Sequence, residues 1–250
     1  MQFRFGQTVI RVTHRDAAAV LAAAQGRLRQ GQGFALATVN LDHLVKLRRD
    51  PAFLAAYAAQ DFVVADGNPI VWLSRLAGHP VALVPGSDLV LPLVRAAAAE
   101  GRPVSLLGST QDSLSAAMAH LRATVPGLRP GALIAPPMGF DPEGPAARAM
   151  LAQVQALGPG LCLVALGAPR QERLAALGRQ LAPAVGFASV GAGVDFLAGS
   201  QRRAPAWVRA IAMEWLWRAL SAPRRLVPRY AACAAILPVE AIRALRQRQH

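Results

Sequence analysis

The sequence predicts an α/β protein with a mainly parallel sheet covered by helices on both faces, Rossmann-like, and a helical, basic C-terminal appendage. Short, continuously apolar segments alternate with alanine-rich segments of helical period. Strands that are apolar on both faces are typical of parallel sheets buried between two helical layers. The alternation stops near residue 196, where an arginine- and tryptophan-rich segment begins. We therefore predict a core over residues 1–196 and an appendage over residues 197–250.

The strands are predicted from short apolar runs, nearly all of which end in glycine, asparagine or serine. They are FALATVN from Phe34, FVVADG from Phe62, PVSLLGS from Pro103, LCLVALG from Leu161 and VGFASVG from Val185. In open parallel sheets ligands bind beyond the carboxyl ends of the strands. The loops that follow these segments are therefore where we expect a functional site.

The helices are predicted from apolar residues spaced at i, i+3, i+4 and i+7. The segments with this spacing begin at Arg15, Ser87, Thr110, Gly144 and Pro169. A further amphipathic helix is predicted from Pro205. Farther on, Pro228 is predicted to disfavour a helix through that point, because proline lacks the N–H group that a helix needs.

Composition limits the classes of protein to which the chain can belong. With 54% hydrophobic residues, its 250 residues can bury a large core, which argues against disorder. Cys162 and Cys233 are too far apart in sequence to indicate a disulfide framework or a zinc site. Arg4 and Arg11 interrupt any signal peptide, and the longest apolar run is too short to span a bilayer. We predict a cytoplasmic protein, soluble or peripheral on the membrane.

The net charge of +13 is concentrated at the C-terminus, where residues 201–250 contain ten arginines and two glutamates. Such a tail suits nucleic acid, an anionic membrane or a phosphorylated small molecule, and charge alone does not choose among them. Arginines solvated on an amphipathic helix are the structural alternative. No nucleic-acid motif is present, so we predict no nucleic-acid partner; homo-oligomerisation is left open.

Two predicted strands end in side chains suited to chemistry. Thr38 and Asn40 offer donors and acceptors for a sugar hydroxyl or a base, although Asn40 or Asp42 capping the next helix explains the pattern equally well. Asp66 ends the next strand within Asp-Gly-Asn-Pro, which is also good turn chemistry. A partly desolvated carboxylate in that position suits a general base, and Asp66 is the best candidate for one.

Later loops supply further candidates. Backbone N–H groups at Gly108 and Ser109 suit a phosphate, with Ser109 or Thr110 as a helix cap the alternative. In LGAPRQE, Glu172 is explained by its position in a first helical turn, where it complements the helix dipole. Gln171 has no such explanation and is therefore the candidate site residue. VGAGVDF resembles a dinucleotide fingerprint but has Phe196 where the third glycine belongs, so no such cofactor is indicated.

The sequence has no Asp-x-Asp pair with which to hold a metal ion. If the substrate is a nucleotide-sugar, backbone dipoles or arginines must then meet the charge of its diphosphate. Taken together, several motifs resemble, in order and spacing from Thr38 to Tyr230, the WecG/TagA/CpsF family of bacterial glycosyltransferases. The motifs are TVN, ADG, GSDL, LGAPRQE, VGAGVDFLAG, RAPAW and EWLWR, followed by PRR and RY.

The resemblance implies an inverting, metal-independent enzyme that needs no cofactor. It would move a sugar from a UDP-sugar to a polyprenyl-diphosphate-linked sugar at the cytoplasmic face of the membrane, in cell-surface or exopolysaccharide synthesis. Asp66 would be the base, the glycine turn would face the substrate, and the appendage would close over the site. The resemblance implies substrate contacts at Thr38, Asn40 and Gln171. Together with the loops described above, we predict Arg218 and Arg225 as catalytic arginines and, as substrate-binding residues, Thr38, Asn40, Gly108, Ser109, Gln171, Gly191, Asp195, Arg203 and Arg224.

The sequence departs from the family pattern at two positions. Leu83 stands three residues before the glycine of GSDL, where many relatives have arginine, and Pro228 stands where relatives tend to have a basic residue. The donor sugar stays open among UDP-ManNAc, its uronic acid, UDP-glucose and UDP-galactose. Two other functions are alternatives. One is a nucleotide-dependent oxidoreductase, which would need a complete glycine fingerprint near the first strand; the other is a non-catalytic basic module that binds membrane or nucleic acid.

Overall fold

A computed structural model of the protein describes residues 1–201, 205, 217 and 223–248. Its strands are β1 Gln2–Phe5, β2 Thr8–Arg11, β3 Phe34–Val39, β4 Phe62–Ala65, β5 Pro103–Gly108, β6 Arg129–Ile134, β7 Gly160–Ala165 and β8 Val185–Ser189. The first two strands pair antiparallel, and the others form a parallel six-stranded sheet in the order β4-β3-β8-β7-β5-β6. The predicted α/β class with a parallel sheet is confirmed.

Ten helices lie within the described residues, and four of them begin with a side-chain cap. They are α1 Ala17–Arg29, α2 Leu41–Leu47, α3 Pro51–Ala58, α4 Asn68–Leu76, α5 Gly86–Ala99, α6 Gln111–Thr124, α7 Pro145–Gln155, α8 Arg170–Leu181, α9 Gly193–Leu197 and α10 Pro223–Gln247. Side chains of Asp16, Asn40, Asp50 and Thr110 each accept a hydrogen bond from the backbone N–H three residues later. Each bond satisfies a donor that has no partner within the helix.

The sheet separates two helical layers, because successive residues of each strand point to opposite faces. Phe34 and Leu36 of β3 pack with α1, α5, α6 and α9 in one apolar cluster. Ala37 and Val39 of the same strand pack with α2, α3, α4 and α10 in a second cluster. Around Ala35, the second layer continues with α7 and α8. The predicted helices on both faces are confirmed.

Helix α10 packs on the second layer, although it belongs to the predicted appendage. Its Cys233 and Ala244 are buried in the cluster that contains α2 and α4. Near its end, Gln247 accepts from the backbone N–H of Gln2 at 3.2 Å and donates to the carbonyl of Gln2 at 2.8 Å. The division between residues 196 and 197 stays a prediction. Among the described residues, no helix combines the length and apolarity needed to cross a bilayer.

The expectation that Pro228 would disfavour a helix is wrong, because α10 runs through both Pro228 and Pro238. A proline inside a helix costs about 3 kcal/mol. Contacts on the buried side of α10 offset that cost. Leu226 is buried, and Arg229 forms an ion pair with the buried carboxylate of Asp42 at 2.9 Å.

Candidate functional site

A crevice is expected where the chain leaves the adjacent strands β3 and β8 toward opposite faces of the sheet. After β3, α2 buries Leu41 and Leu44 in the second layer. After β8, α9 buries Val194 in the first layer. Two neighbouring loops that diverge in this way leave a crevice beyond the carboxyl ends of their strands, which is where open parallel sheets bind ligands.

Thr38 and Asp66 meet at this crevice. The Oγ1 hydroxyl of Thr38 donates to Oδ2 of Asp66 at 3.3 Å, and the backbone N–H of Asp66 donates to the carbonyl of Val39 at 2.7 Å. Thr38 is buried, whereas Asp66 is half-buried. The backbone and the carboxylate of Asp66 are therefore both bonded to β3, and the residue as a whole is half-buried.

Gly86, at the start of α5, explains the glycine of the GSDL motif. A Cβ atom at this position would lie 3.3 Å from Cγ2 of Thr38 and 3.3 Å from the carbonyl oxygen of Ser189. Glycine thus lets α5 pack tightly against β3 and β8 beneath the crevice. Leu83, in the preceding loop, is 42% exposed.

Asn40 is the N-cap of α2, as one interpretation of the sequence required. Its side-chain oxygen accepts the backbone N–H of His43 at 3.0 Å. Asn40 also lies beside the Asp66 loop, because its Cβ is 3.8 Å from the position that a Cβ of Gly67 would occupy. Asn40 thus both caps α2 and lies beside the Asp66 loop. A contact of Asn40 with substrate stays a prediction.

Gln171 links the loops that follow β7 and β8. Its Oε1 accepts the backbone N–H of Gly191 at 3.1 Å, and its Nε2 donates to Oε1 of Glu172 at 2.8 Å. Gly191 has a φ of 55°, a backbone conformation that favours glycine. Gln171 is therefore a buried connector that fixes the glycine turn, a role that its helix-start position did not indicate.

Glu172 differs from its expected role as a charge at the start of α8. Its side chain is fully buried, and its Oε2 has no hydrogen-bond partner among the described residues. Burial raises the pKa of Glu172 to about 7, against smaller lowering effects from Gln171 and Lys46. The burial of Glu172 is not evident from the sequence, since a glutamate in a first helical turn is normally an exposed complement to the helix dipole.

Glu172 predicts a pH-dependent stability. Because its folded pKa lies above that of an unfolded glutamate, the folded state binds the extra proton between about pH 4.5 and pH 7. The carboxyl group therefore stabilises the fold relatively more at low pH, and this advantage is lost as the pH rises toward 7. We expect Glu172→Gln to gain stability relative to the wild type over this window, by up to roughly 3 kcal/mol. Urea unfolding of both proteins at several pH values measures the difference, and a constant difference would contradict the prediction.

Ser109 and Asp195 form a second contact, between the loop after β5 and helix α9. The Oγ hydroxyl of Ser109 donates to Oδ1 of Asp195, and Oδ2 of Asp195 accepts from Nε2 of Gln201 at 3.0 Å. Gly108 has a φ of 114°, and a Cβ there would lie 2.4 Å from the carbonyl oxygen of Ala165. Only glycine permits this close approach of β5 to β7.

The predicted phosphate-binding N–H groups are partly occupied within the protein. The N–H of Ser109 donates to the carbonyl of Ala165 at 3.1 Å, and the N–H of Gly191 is held by Gln171. Thr110, rather than Ser109, caps α6. The Ser109 N–H therefore does not support the expected phosphate contact, and binding at Gly108, Ser109, Gly191 and Asp195 stays a prediction.

A charged cluster that the sequence analysis did not identify lies beside the site. The Oδ2 atom of Asp42 forms ion pairs with Nζ of Lys46 at 2.9 Å and with Nη2 of Arg229 at 2.9 Å. Lys46 also donates to the carbonyl of Ala168 at 3.2 Å, in the loop before Gln171. Asp42 thus connects α10 to α2, and Lys46 connects α2 to the loop that precedes α8.

Of the four arginines predicted in the tail, the structure describes the side chain of one. Arg203, Arg218 and the side chain of Arg225 lie outside the described residues. Of the helix predicted from Pro205, the structure describes only Pro205 and Trp217. Arg224 is exposed in the first turn of α10. Their roles stay predictions.

The described part of the site offers a half-buried carboxylate, hydroxyl and amide side chains, and loops fixed by hydrogen bonds. Such a set can accept a proton and orient a polar ligand. The chain matches the model of the Glycosyl transferase WecG/TagA/CpsF family over residues 7–250, nearly its full length.

Proposed function

Because the chain belongs to the WecG/TagA/CpsF family of glycosyltransferases, we propose that it transfers a sugar from a UDP-sugar to a polyprenyl-diphosphate-linked sugar with inversion. The family implies glycosyl transfer in cell-surface polysaccharide synthesis. The observation that most supports the specific reaction is half-buried Asp66, whose carboxylate is hydrogen-bonded by Thr38 at the carboxyl ends of β3 and β4.

Asp66 would act as the general base. Its carboxylate takes the proton from an acceptor hydroxyl as that oxygen bonds to the anomeric carbon of the donor sugar. The bond from this carbon to UDP breaks on the opposite face, which inverts the configuration. Thr38 supports this role because its hydroxyl occupies one oxygen of the carboxylate and so restrains its orientation.

The donor would be held on the side of the site formed by the loops that follow β5 and β8. Gln171 fixes the glycine turn at Gly191, and Ser109 fixes Asp195. Loops restrained in this way lose little conformational entropy when a ligand binds. We assign Asn40 to the substrate as well, since it lies beside the Asp66 loop.

Cations of the tail would stabilise the departing UDP. Arg203, Arg218, Arg224 and Arg225 are the candidates, and guanidinium groups bind phosphates through paired hydrogen bonds. This supply of charge supports a metal-independent reaction, in agreement with the lack of an Asp-x-Asp pair in the sequence.

We expect full activity in excess EDTA. Transfer should be measured as UDP release before and after chelation, with Mg²⁺ and Mn²⁺ added back separately. A rate that falls on chelation and returns with either metal would contradict both metal independence and the role assigned to the arginines.

The whole proposal is tested by UDP release over a panel of UDP-sugars, with a short-chain polyprenyl-diphosphate-sugar as acceptor. Release that requires the acceptor, and a product of inverted configuration, would support it. Release that is independent of the acceptor for every donor would overturn the assigned reaction.

Association with the inner face of the membrane through the C-terminal region is also proposed. The outward face of α10 carries apolar residues at helical spacing, among them Val227, Val239, Ile242 and Leu245, which are 45–56% exposed. Arg246 and Arg248 are exposed near the end of this stripe. Apolar side chains flanked by arginines suit an anionic bilayer surface, where each arginine contributes about 1 kcal/mol. Salt-sensitive sedimentation with phosphatidylglycerol vesicles tests this association.

A further inference from the structure

A cavity away from the candidate site combines cationic and apolar surfaces. It has a volume of about 400 Å³ and lies between the β1–β2 turn, the loop from α2 to α3, and the end of α10. Its lining consists of Arg4, Phe5, Gly6, Leu47, Arg48, Arg49, Pro51, Leu54 and Arg243. The cavity is open to solvent on one side, so it suits a ligand that stays partly exposed.

The cavity is separate from the crevice that contains Asp66. Helix α2 begins at its cap Asn40, beside the crevice, and leads away from the carboxyl edge of the sheet. Its seven residues extend about 10 Å, and the cavity adjoins its far end at Leu47 and Arg48. A ligand in this cavity would therefore not occupy the position of the reacting sugar.

The cationic lining exceeds the acidic charge beside it. Buried Glu240 pairs with Arg48 and, at 2.7 Å, with Arg243. One carboxylate thus faces two of the four lining arginines. Arg4 and Arg49 are exposed, and neither forms an ion pair within the part of the chain that the structure describes. The cavity therefore retains a net positive charge. This charge suits an anion whose oxygens accept hydrogen bonds from several arginines.

The geometry also distinguishes fixed from adaptable arginines. The side chain of Arg48 is 26% exposed and is held by Glu240, which is 5% exposed. Arg243 is held by the same carboxylate from within its own helix. Two guanidinium groups are thus positioned before any ligand arrives, which lowers the entropic cost of binding.

The apolar part of the lining favours a ligand that has an apolar group in addition to an anionic group. Leu47 is buried and Leu54 half-buried, whereas Arg4 and Arg49 are exposed. The cavity therefore has an apolar base and a cationic mouth. We propose that it binds a phosphoester that carries an apolar group, with the phosphate among the arginines and the apolar group against Leu47 and Leu54. Phosphate suits this mouth because its oxygens accept paired bonds from several guanidinium groups at once.

Two sources supply this chemistry, an anionic phospholipid and a soluble phosphate ester. Calorimetric titration of the full-length protein with dihexanoyl phosphatidylglycerol and with phenyl phosphate distinguishes them. Dihexanoyl phosphatidylcholine is the control for a zwitterionic lipid. Saturable binding of the anionic lipid alone identifies a lipid site, and equal or tighter binding of phenyl phosphate identifies a soluble ligand.

The test variant is Arg4→Gln/Arg49→Gln, because these residues are not the ones that neutralise Glu240. Binding of the effective probe should weaken at least about tenfold, as expected for the loss of charged hydrogen bonds. Arg95→Gln/Arg122→Gln removes the same charge from exposed positions on α5 and α6 and should bind within about twofold of the wild type.

Sugar transfer to a soluble acceptor should be unchanged in both double variants, which separates this proposal from the proposed reaction. Thermal unfolding verifies that the variants remain folded. The proposal is overturned if neither anionic probe saturates, if the zwitterionic lipid binds as tightly as the anionic lipid, or if the control variant loses as much affinity as Arg4→Gln/Arg49→Gln.

Discussion

Replacing Asp66 by asparagine is expected to lower turnover by about 10² to 10⁴ while leaving the affinity for the UDP-sugar largely intact. Asparagine keeps the size of the side chain and can still accept the hydrogen bond from Thr38, so the loops should stay in place. It cannot take a proton from the acceptor hydroxyl. The loss should therefore appear in kcat, measured as UDP release at saturating donor and acceptor, and not in donor binding measured by calorimetry.

The matched control is Asp112→Asn, which removes one exposed carboxylate from the first turn of α6. This variant should turn over at close to the wild-type rate. Near-normal turnover of Asp66→Asn would remove Asp66 from the role of base. A loss of donor affinity equal to the loss of turnover would instead indicate that Asp66 binds the donor.

The core strands and the chemistry at their ends could be predicted because both depend on local sequence. A strand buried on both faces must be continuously apolar, so the first polar residue marks its end and its loop. That reasoning brought together Thr38 and Asp66, which the structure shows in contact. The edge strand β6 was missed because Pro130, Gly131 and exposed Arg129 interrupt its apolar pattern, which edge strands tolerate.

The short helices α3 and α4 were missed for a different reason, and α2 was anticipated only through its possible caps, Asn40 and Asp42. Helices of seven to nine residues contain too few turns to show a clear apolar period. The start of α4 at Asn68 and Pro69 was interpreted as a turn, although proline in a first helical turn is also favourable. Tertiary packing decides between these interpretations, and single-sequence patterns do not contain it.

The buried charges could not be predicted, because burial of a carboxylate is a property of the fold. Glu172 and Asp42 stand in first helical turns, where glutamate and aspartate are common on exposed surfaces. What marks them in the structure is desolvation, together with Gln171 at one and Lys46 and Arg229 at the other. Arg229 is distant from Asp42 in sequence. Gln171 and Lys46 are close to their partners in sequence, but nothing in the local pattern marks them as contacts of a buried carboxylate.

Replacing Arg218 or Arg225 by alanine is expected to lower turnover by about 10² to 10³, even with a soluble, short-chain acceptor. We assign these side chains to the charge that develops on the departing UDP, and the loss of one preorganised donor has an effect of that size. The expected loss is in kcat, because the charge on the leaving group grows in the transition state. Arg246→Ala is the matched control: Arg246 is exposed in the last turn of α10, and its loss should weaken only salt-sensitive vesicle binding.

Point variants test this role more sharply than removal of residues 197–250. Helix α10 supplies Glu240 to Arg48 and Arg229 to Asp42, and it covers apolar side chains of α2 and α4. Deleting it would leave the buried Asp42 without one of its two cations, and breaking a buried ion pair costs about 3–5 kcal/mol. An inactive truncated chain could therefore reflect unfolding. If Arg218→Ala and Arg225→Ala both transfer sugar to a soluble acceptor at the rate of Arg246→Ala, the tail does not stabilise the leaving group, and its charge serves the membrane alone.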